Sequence, residues 1–380
     1  MLSRTRPVGE RFSLKKSSFD VNLFAPFHYL GTQSGTAALC IALRIARQMR
    51  SDVDNPEVLM PAYTCPDVIS ACITAGVTPV LIDFAPDTCH MSLDELSLKC
   101  HANTVAIIAI NFLGIPERID QIRSLLNNKK TLIIEDSAQG FPRSDKENYW
   151  KGDLVTLSFG RGKPLGLFNG GAVLSRQEEL LKMADAFLSS SSKLSEFSYR
   201  IKHRVFNMLM SPLGYGLLTR LPGMTFGETL YKPLEKCEHI NPTINEYLSA
   251  RVKDFEQRRV ELYDLYNKRL EQLNLSILGS GHSLHEYLRI PVLLPNQSTR
   301  NACLEKLDLI GLGATAMYKK ILTEFDDIPI DLGDAPYPNA SLLAQRLITL
   351  PLHQDVSEQD IDEMMAVIEA EVKNAHSLDK

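Results

Sequence analysis

Six short apolar runs, at 58–60, 79–83, 105–111, 131–135, 154–159 and 172–175, dominate the first half of the chain. Amphipathic stretches at 36–49, 66–75 and 118–127 lie between several of them. Strands this short and this apolar, separated by helices, predict a mostly parallel sheet covered on both faces. Ligands of such sheets gather at the carboxyl ends of the strands. Polar residues just past each strand are therefore the candidates for chemistry.

After residue 180 the rhythm breaks. A serine run at 189–192 leads into a basic and apolar stretch, 199–222, followed by a long charged helix over 246–273. The remainder reads as a smaller α+β unit, with strands at 288–294 and 346–350 and helices at 299–310 and 358–372. The expected division is a large domain over 1–250, with a helical insertion at about 180–240, and a small C-terminal domain over 251–380. With 380 residues, the chain is long enough for two such domains.

Composition narrows the class. Hydrophobic residues make up 44% and charged residues 23%, ordinary for a globular protein, and the net charge of −5 gives no basic field for nucleic acid. The seven cysteines are odd in number, scattered and without a CxxC pair. That pattern argues against a disulfide framework or zinc site and for a reducing compartment; no metal is expected. The first residues carry no apolar signal core, and no run of ~18 apolar residues occurs, so the expected location is the cytoplasm.

Three segments carry candidate chemistry. Ser34-Gly35-Thr36-Ala37-Ala38-Leu39 opens a helix with small residues, which leaves backbone N–H groups free to approach a phosphate; a plain helix cap reads the same way. Glu135-Asp136-Ser137-Ala138-Gln139 ends an apolar strand, where a buried carboxylate needs a cation such as a protonated pyridine nitrogen; a cap for the next helix is the other reading of Asp136. Ser158-Phe159-Gly160-Arg161-Gly162-Lys163 sets a lysine on a glycine-rich turn. Partial desolvation there lowers an amine's pKa and makes it a nucleophile toward an aldehyde, whereas a solvated loop lysine would do nothing. Leu157 and Pro164 exclude a Walker A loop.

Taken in order, these segments resemble the DegT/StrS nucleotide-sugar aminotransferases, fold-type-I pyridoxal-phosphate enzymes. The resemblance also runs through Arg6-Pro7-Val8-Gly9-Glu10, Pro61-Ala62-Tyr63-Thr64, Asp83, Gly114-Ile115-Pro116, Gly170-Gly171-Ala172 and the stretch from Arg346 to His353. It implies pyridoxal 5′-phosphate held by Lys163 as an internal aldimine, with Asp136 on the ring nitrogen and Gln139 at the ring hydroxyl. It further implies a phosphate site built from Thr36, the N–H groups of Gly35 and Ala37, and Ser158, with Asn241 reaching the phosphate of a neighbouring subunit. That last role implies a homodimer with shared active sites.

Cys65 stands where the family has an aromatic residue on the cofactor ring, so either Cys65 or Tyr63 supplies that contact. Asn111 replaces a histidine, and Thr243 an arginine. The implied function is transfer of an amino group from an amino-acid donor to a keto-sugar nucleotide or related carbonyl acceptor, in polysaccharide or secondary-metabolite biosynthesis. Alternatives are a same-fold pyridoxal-phosphate enzyme with another reaction or a lipid-linked acceptor, and a non-catalytic scaffold of a polysaccharide cluster. The 199–222 stretch admits three readings: packing, a peripheral membrane contact, or a lid over the mouth of the active site. The lid is the expectation carried forward.

Overall fold

The computed structural model describes residues 3–12, 15–126, 128, 130–220, 229–256, 261–280 and 286–378. Seven strands form the central sheet: β1 (His28–Thr32), β2 (Glu57–Pro61), β3 (Thr78–Ile82), β4 (Thr104–Ile110), β5 (Leu132–Asp136), β6 (Leu154–Ser158) and β7 (Gly171–Ser175). Their order across the sheet is β1-β7-β6-β5-β4-β2-β3. β7 runs antiparallel to both β1 and β6, and the other pairs are parallel. All seven residues of β4 are buried, as a central strand covered on both faces requires. The apolar runs expected from 58 onward are all strands. The edge strand β1, a short segment interrupted by Gly31, had no such run to announce it.

Helices α1 (Gly35–Met49), α2 (Asp67–Ala75), α3 (Leu93–Lys99), α4 (Ile119–Leu125) and α5 (Lys146–Tyr149) lie between the strands, and α6 (Glu178–Lys182) follows β7. α1 is the best buried of them. Ala37, Ala38, Ala42 and Ala46 are fully enclosed, and their small side chains let the helix lie close against the sheet. Beyond them come α7 (Glu196–Leu209), α8 (Pro212–Leu218), α9 (Pro242–Glu256) and α10 (Glu261–Gln272). The single helix expected over 246–273 thus corresponds to α9 and α10, with residues 257–260 outside the described residues. A two-stranded antiparallel sheet, β8 (Ile290–Leu293) with β9 (Leu347–Leu350), joins α11 (Gln297–Leu309), α12 (Pro338–Arg346) and α13 (Glu358–Leu378) in the C-terminal part.

Long-range bonds tie the C-terminal part to the rest, among them Leu322 N–H to Ala62 O at 2.9 Å and Leu288 N–H to Leu113 O at 3.0 Å. The N-terminal segment returns to it: Thr5 N–H donates to Gly311 O at 2.8 Å, the His353 ring meets Arg6 O at 2.8 Å, and Arg6 and Arg11 both pair with Asp355. At the end of β3, buried Asp83 accepts Asn339 N–H at 3.0 Å and Ala340 N–H at 2.8 Å, and so caps α12 from a distance of more than 250 residues. Asp83→Ala is expected to cost about 2–4 kcal/mol, because a charged cap is lost and two donors are stranded. Urea unfolding of the two proteins checks this, and an unchanged midpoint would contradict it.

Candidate active site

The carboxyl ends of β2, β5 and β6 and the N-terminus of α1 converge on one cleft. Gly35, Thr36, Cys65, Asp136, Gln139, Ser158 and Lys163 all line it, together with Thr64, Asp67 and Ala138. Seven of the ten residues expected at the site therefore meet there. Ala37, Tyr63 and Asn241 do not line it.

The phosphate cradle is the start of α1. The Ser34 hydroxyl caps the helix by accepting Ala37 N–H at 3.1 Å, so the expected contribution of Ala37 to an anion is already spent inside the protein. Gly35 and Thr36 hold the first two helical positions, whose N–H groups have no intrahelical acceptor and form the positive end of the helix dipole. A Cβ on Gly35 would stand 2.5 Å from Ser158 Cβ. Glycine is thus needed for the helix start and the end of β6 to close on one another. The result is a small concavity bordered by the first two amides of α1, the Thr36 side chain and the Ser158 hydroxyl, a good fit to a phosphate.

Adjacent residues at the end of β5 point to opposite faces of the sheet. Glu135 turns into a closed polar network, accepting Asn111 Nδ2 at 2.8 Å and the N–H groups of Lys151 and Gly152 at 2.8 Å each. Asn111 belongs to this network; its Oδ1 also accepts Glu117 N–H at 3.0 Å. Asp136 faces the cleft. Its Oδ1 accepts Ala138 N–H at 3.0 Å, while Oδ2 accepts no hydrogen bond from the described residues. Burial pushes its carboxyl above the usual carboxylate range; the Ala138 N–H, the Lys163 charge and the Thr156 hydroxyl oppose that shift. A buried carboxylate with one oxygen open to a cleft is matched by a ligand N–H carrying positive charge. Burial likewise raises Asp67, against the pull of the Lys163 and Lys232 charges. Nothing in the sequence pattern singled out Asp67.

Cys65 lines the cleft, and burial raises its thiol to about 11, which keeps it protonated and uncharged. Tyr63 turns the other way: its hydroxyl donates to Tyr318 O at 2.8 Å, and its ring packs on Phe84, Phe112 and Tyr318. Of the two candidates left open for a ring contact, Cys65 is the one at the cleft. Gln139 is fixed by Leu113 N–H, which donates to its Oε1 at 3.0 Å, and by the Tyr318 hydroxyl, which accepts from Nε2 at 3.0 Å. Asn241 precedes α9; its Oδ1 accepts Thr243 N–H at 3.0 Å and its Nδ2 donates to Ser192 O at 2.6 Å.

The lysine loop is clamped from three sides. Gly162 adopts a positive φ of 73°, and a Cβ there would meet Val8 of the N-terminal segment at 3.3 Å. Arg251 of α9 donates to Pro164 O at 3.0 Å, and the Tyr199 hydroxyl of α7 donates to Leu167 O at 2.9 Å. His203, one turn along α7, stacks on Phe168 and Phe12, each 4.8 Å between ring centres. α7 therefore lies behind the loop. None of the described residues of 199–220 lines the cleft, which corrects the expectation of a lid, and Leu221 and Pro222 lie outside the described residues. The i, i+4 pair Tyr199 and His203 was the sequence signal for this packing.

Burial lowers His203 to about 4, so the ring is neutral at pH 7. Its ordinary value is ~6.5. A depressed pKa makes the unfolded chain bind the proton first, so stability is full above ~6.5 and falls as pH drops from there toward 4. The melting temperature is expected to fall between pH 7 and pH 5, and His203→Phe to shrink that difference. Equal shifts in both proteins would refute the assignment.

The sequence model of the DegT/DnrJ/EryC1/StrS aminotransferase family matches residues 23–222 and 245–369. The chain belongs to that family. Its activity is amino-group transfer, and its fold is that of the family's α/β aminotransferases. Among relatives, GDP-perosamine synthase of Escherichia coli O157:H7 is 25% identical over 75% of this chain and 72% of its own length. Among solved structures, DesI in the presence of its TDP-sugar product superposes with a TM-score of 0.68 at 20% identity, covering 94% of this chain and 84% of that one. NtdA from Bacillus subtilis with bound cofactor PMP gives 0.68 at 19% identity, covering 91% and 73%. Asn241 falls between the two stretches the family model matches.

Proposed function

We propose that the chain is a pyridoxal-phosphate-dependent aminotransferase that moves an amino group from an amino-acid donor to a keto-sugar nucleotide or a related carbonyl acceptor. The observation that carries this reading is the cleft itself: a lysine amine, a buried carboxylate with an open oxygen, and a helix N-terminus. Bound there, pyridoxal phosphate would supply an electron sink for carbanion chemistry at the amino carbon. Lys163 is the residue that would attach the cofactor and move the proton. Asp136 would hold a proton on the ring nitrogen. Gly35 and Thr36 amides, with the Thr36 and Ser158 hydroxyls, would hold the phosphate. Cys65 and Gln139 would fix the ring's position.

The acceptor class draws support from relatives whose names carry sugar nucleotides: a GDP-perosamine synthase and a protein solved with a TDP-sugar product. We place the enzyme in the cytoplasm, consistent with seven free cysteines, and as a homodimer in which Asn241 of one protomer serves the other's phosphate site. Asn241 stands outside the cleft of its own chain, as such a role requires. We also keep the division into a large domain over 1–250, with the helical insertion at about 180–240, and a small domain over 251–380.

Half-reaction spectroscopy tests the function. Glutamate or another amino donor should convert the yellow cofactor-loaded protein to its colourless amine form, and a keto-sugar nucleotide should restore the colour. Failure of every donor to bleach a loaded protein would overturn the reading. Mixing Lys163→Ala with Asn241→Ala subunits should restore part of the activity if the sites are shared.

A further inference from the structure

α7 is apolar on two opposite faces, and only one of them is used. Its inner face, Tyr199, His203 and Phe206, packs on Phe12 and Phe168. At 100° per residue, Phe197, Met208, Ile201 and Val205 fall roughly 160–240° around the axis from Tyr199. They are exposed, Phe197 by 74% and Met208 by 64%. Leu213 and Leu217 of the adjoining α8 extend the same exposure, at 62% and 59%. A contiguous apolar surface of this kind marks an interaction site.

The charges around it say what it meets. Arg204 and Arg200 lie roughly 140° and 100° from Tyr199, on one flank of the stripe, and Lys202 lies roughly 300°, on the other. α7 carries these three cations and one acid, Glu196, which pairs with Lys16 at 3.2 Å and, more loosely, with Arg200 at 3.9 Å. The chain as a whole has a net charge of −5, so this basic strip is a local exception. A second copy related by a two-fold axis would bring cation-flanked stripes together, like charge against like. A surface of anionic lipid complements both features at once. Apolar side chains enter the interfacial layer, and flanking Arg and Lys meet the phosphates.

We propose that α7 and α8 lie on the surface of an anionic bilayer, a peripheral contact that holds the enzyme at the membrane. No helix among the described residues is long and apolar enough to cross one. The inner face of α7 carries Leu167 and Phe168 of the lysine loop, so docking sets that loop about one helix diameter, ~10 Å, from the lipid.

Co-sedimentation of the full chain with vesicles tests this without any reading of catalysis. Binding is expected to phosphatidylglycerol–phosphatidylethanolamine vesicles at low salt, with little on pure phosphatidylcholine or at high salt. Phe197→Glu with Met208→Glu, and separately Arg200→Gln with Arg204→Gln, should each weaken binding roughly tenfold or more. These side chains point outward, so unchanged circular dichroism and melting would show that folding is intact. Wild-type protein that ignores the anionic vesicles overturns the proposal. So does a glutamate pair that leaves vesicle binding unchanged, or one that instead splits an oligomer in sedimentation velocity, which would mean that a second copy covers the face.

Discussion

Lys163→Ala is expected to reduce transamination by at least ~10³-fold, with the fold intact. The side chain projects into the cleft from a loop whose shape is set by its own backbone and by three neighbours: Val8, Arg251 and Tyr199. Removing an amine from such a frame should delete the proposed nucleophile and proton carrier and little else. Borohydride treatment of the wild-type protein loaded with pyridoxal phosphate should place the cofactor's mass on the peptide containing Lys163, and the variant should lack it. Labelling of another lysine, or a variant with half its activity, would move the chemistry elsewhere.

Asp136→Asn should follow close behind, with a loss of about 10²–10⁴-fold, or roughly 3–5 kcal/mol of transition-state stabilisation. The amide can still accept the Ala138 N–H that now reaches Oδ1, so the turn after β5 should survive. What disappears is the negative charge, which lies in a buried setting where its field is little screened. A structural cap would tolerate the change. A near-normal rate in the asparagine variant, at unchanged melting temperature, would show that Asp136 acts only as a cap.

The contrast between Glu135 and Asp136 shows how sequence and tertiary structure divided the work. The run Leu132-Ile133-Ile134 announces a strand, and two carboxylates at its end announce something unusual. The period of a strand then dictates that they part to opposite faces. Which one serves the cleft follows from partners supplied by other elements. Glu135 is consumed by Asn111 and by the amides of Lys151 and Gly152, and Asp136 is left with an open oxygen.

By itself, the sequence determined the strands from β2 to β7, the helices α1, α2 and α4 between them, the C-terminal elements β8, β9, α11 and α13, and the residue types that end each strand. Those are matters of local periodicity and propensity, written within a few residues of one another. The helix start at Gly35 and Thr36 and the candidates Asp136, Gln139 and Lys163 were legible in that pattern, whereas Ser158 and the choice between Cys65 and Tyr63 came only with the family resemblance. Only the tertiary structure decided that Tyr63 turns to Tyr318, that Ala37 N–H is spent on Ser34, that α7 backs the lysine loop instead of covering its mouth, and that Arg251 and His203 hold that loop in place. Each of these depends on a partner that the fold supplies: the orientation of a buried polar or aromatic side chain is set by which hydrogen bonds and ring contacts remain available once the elements have packed.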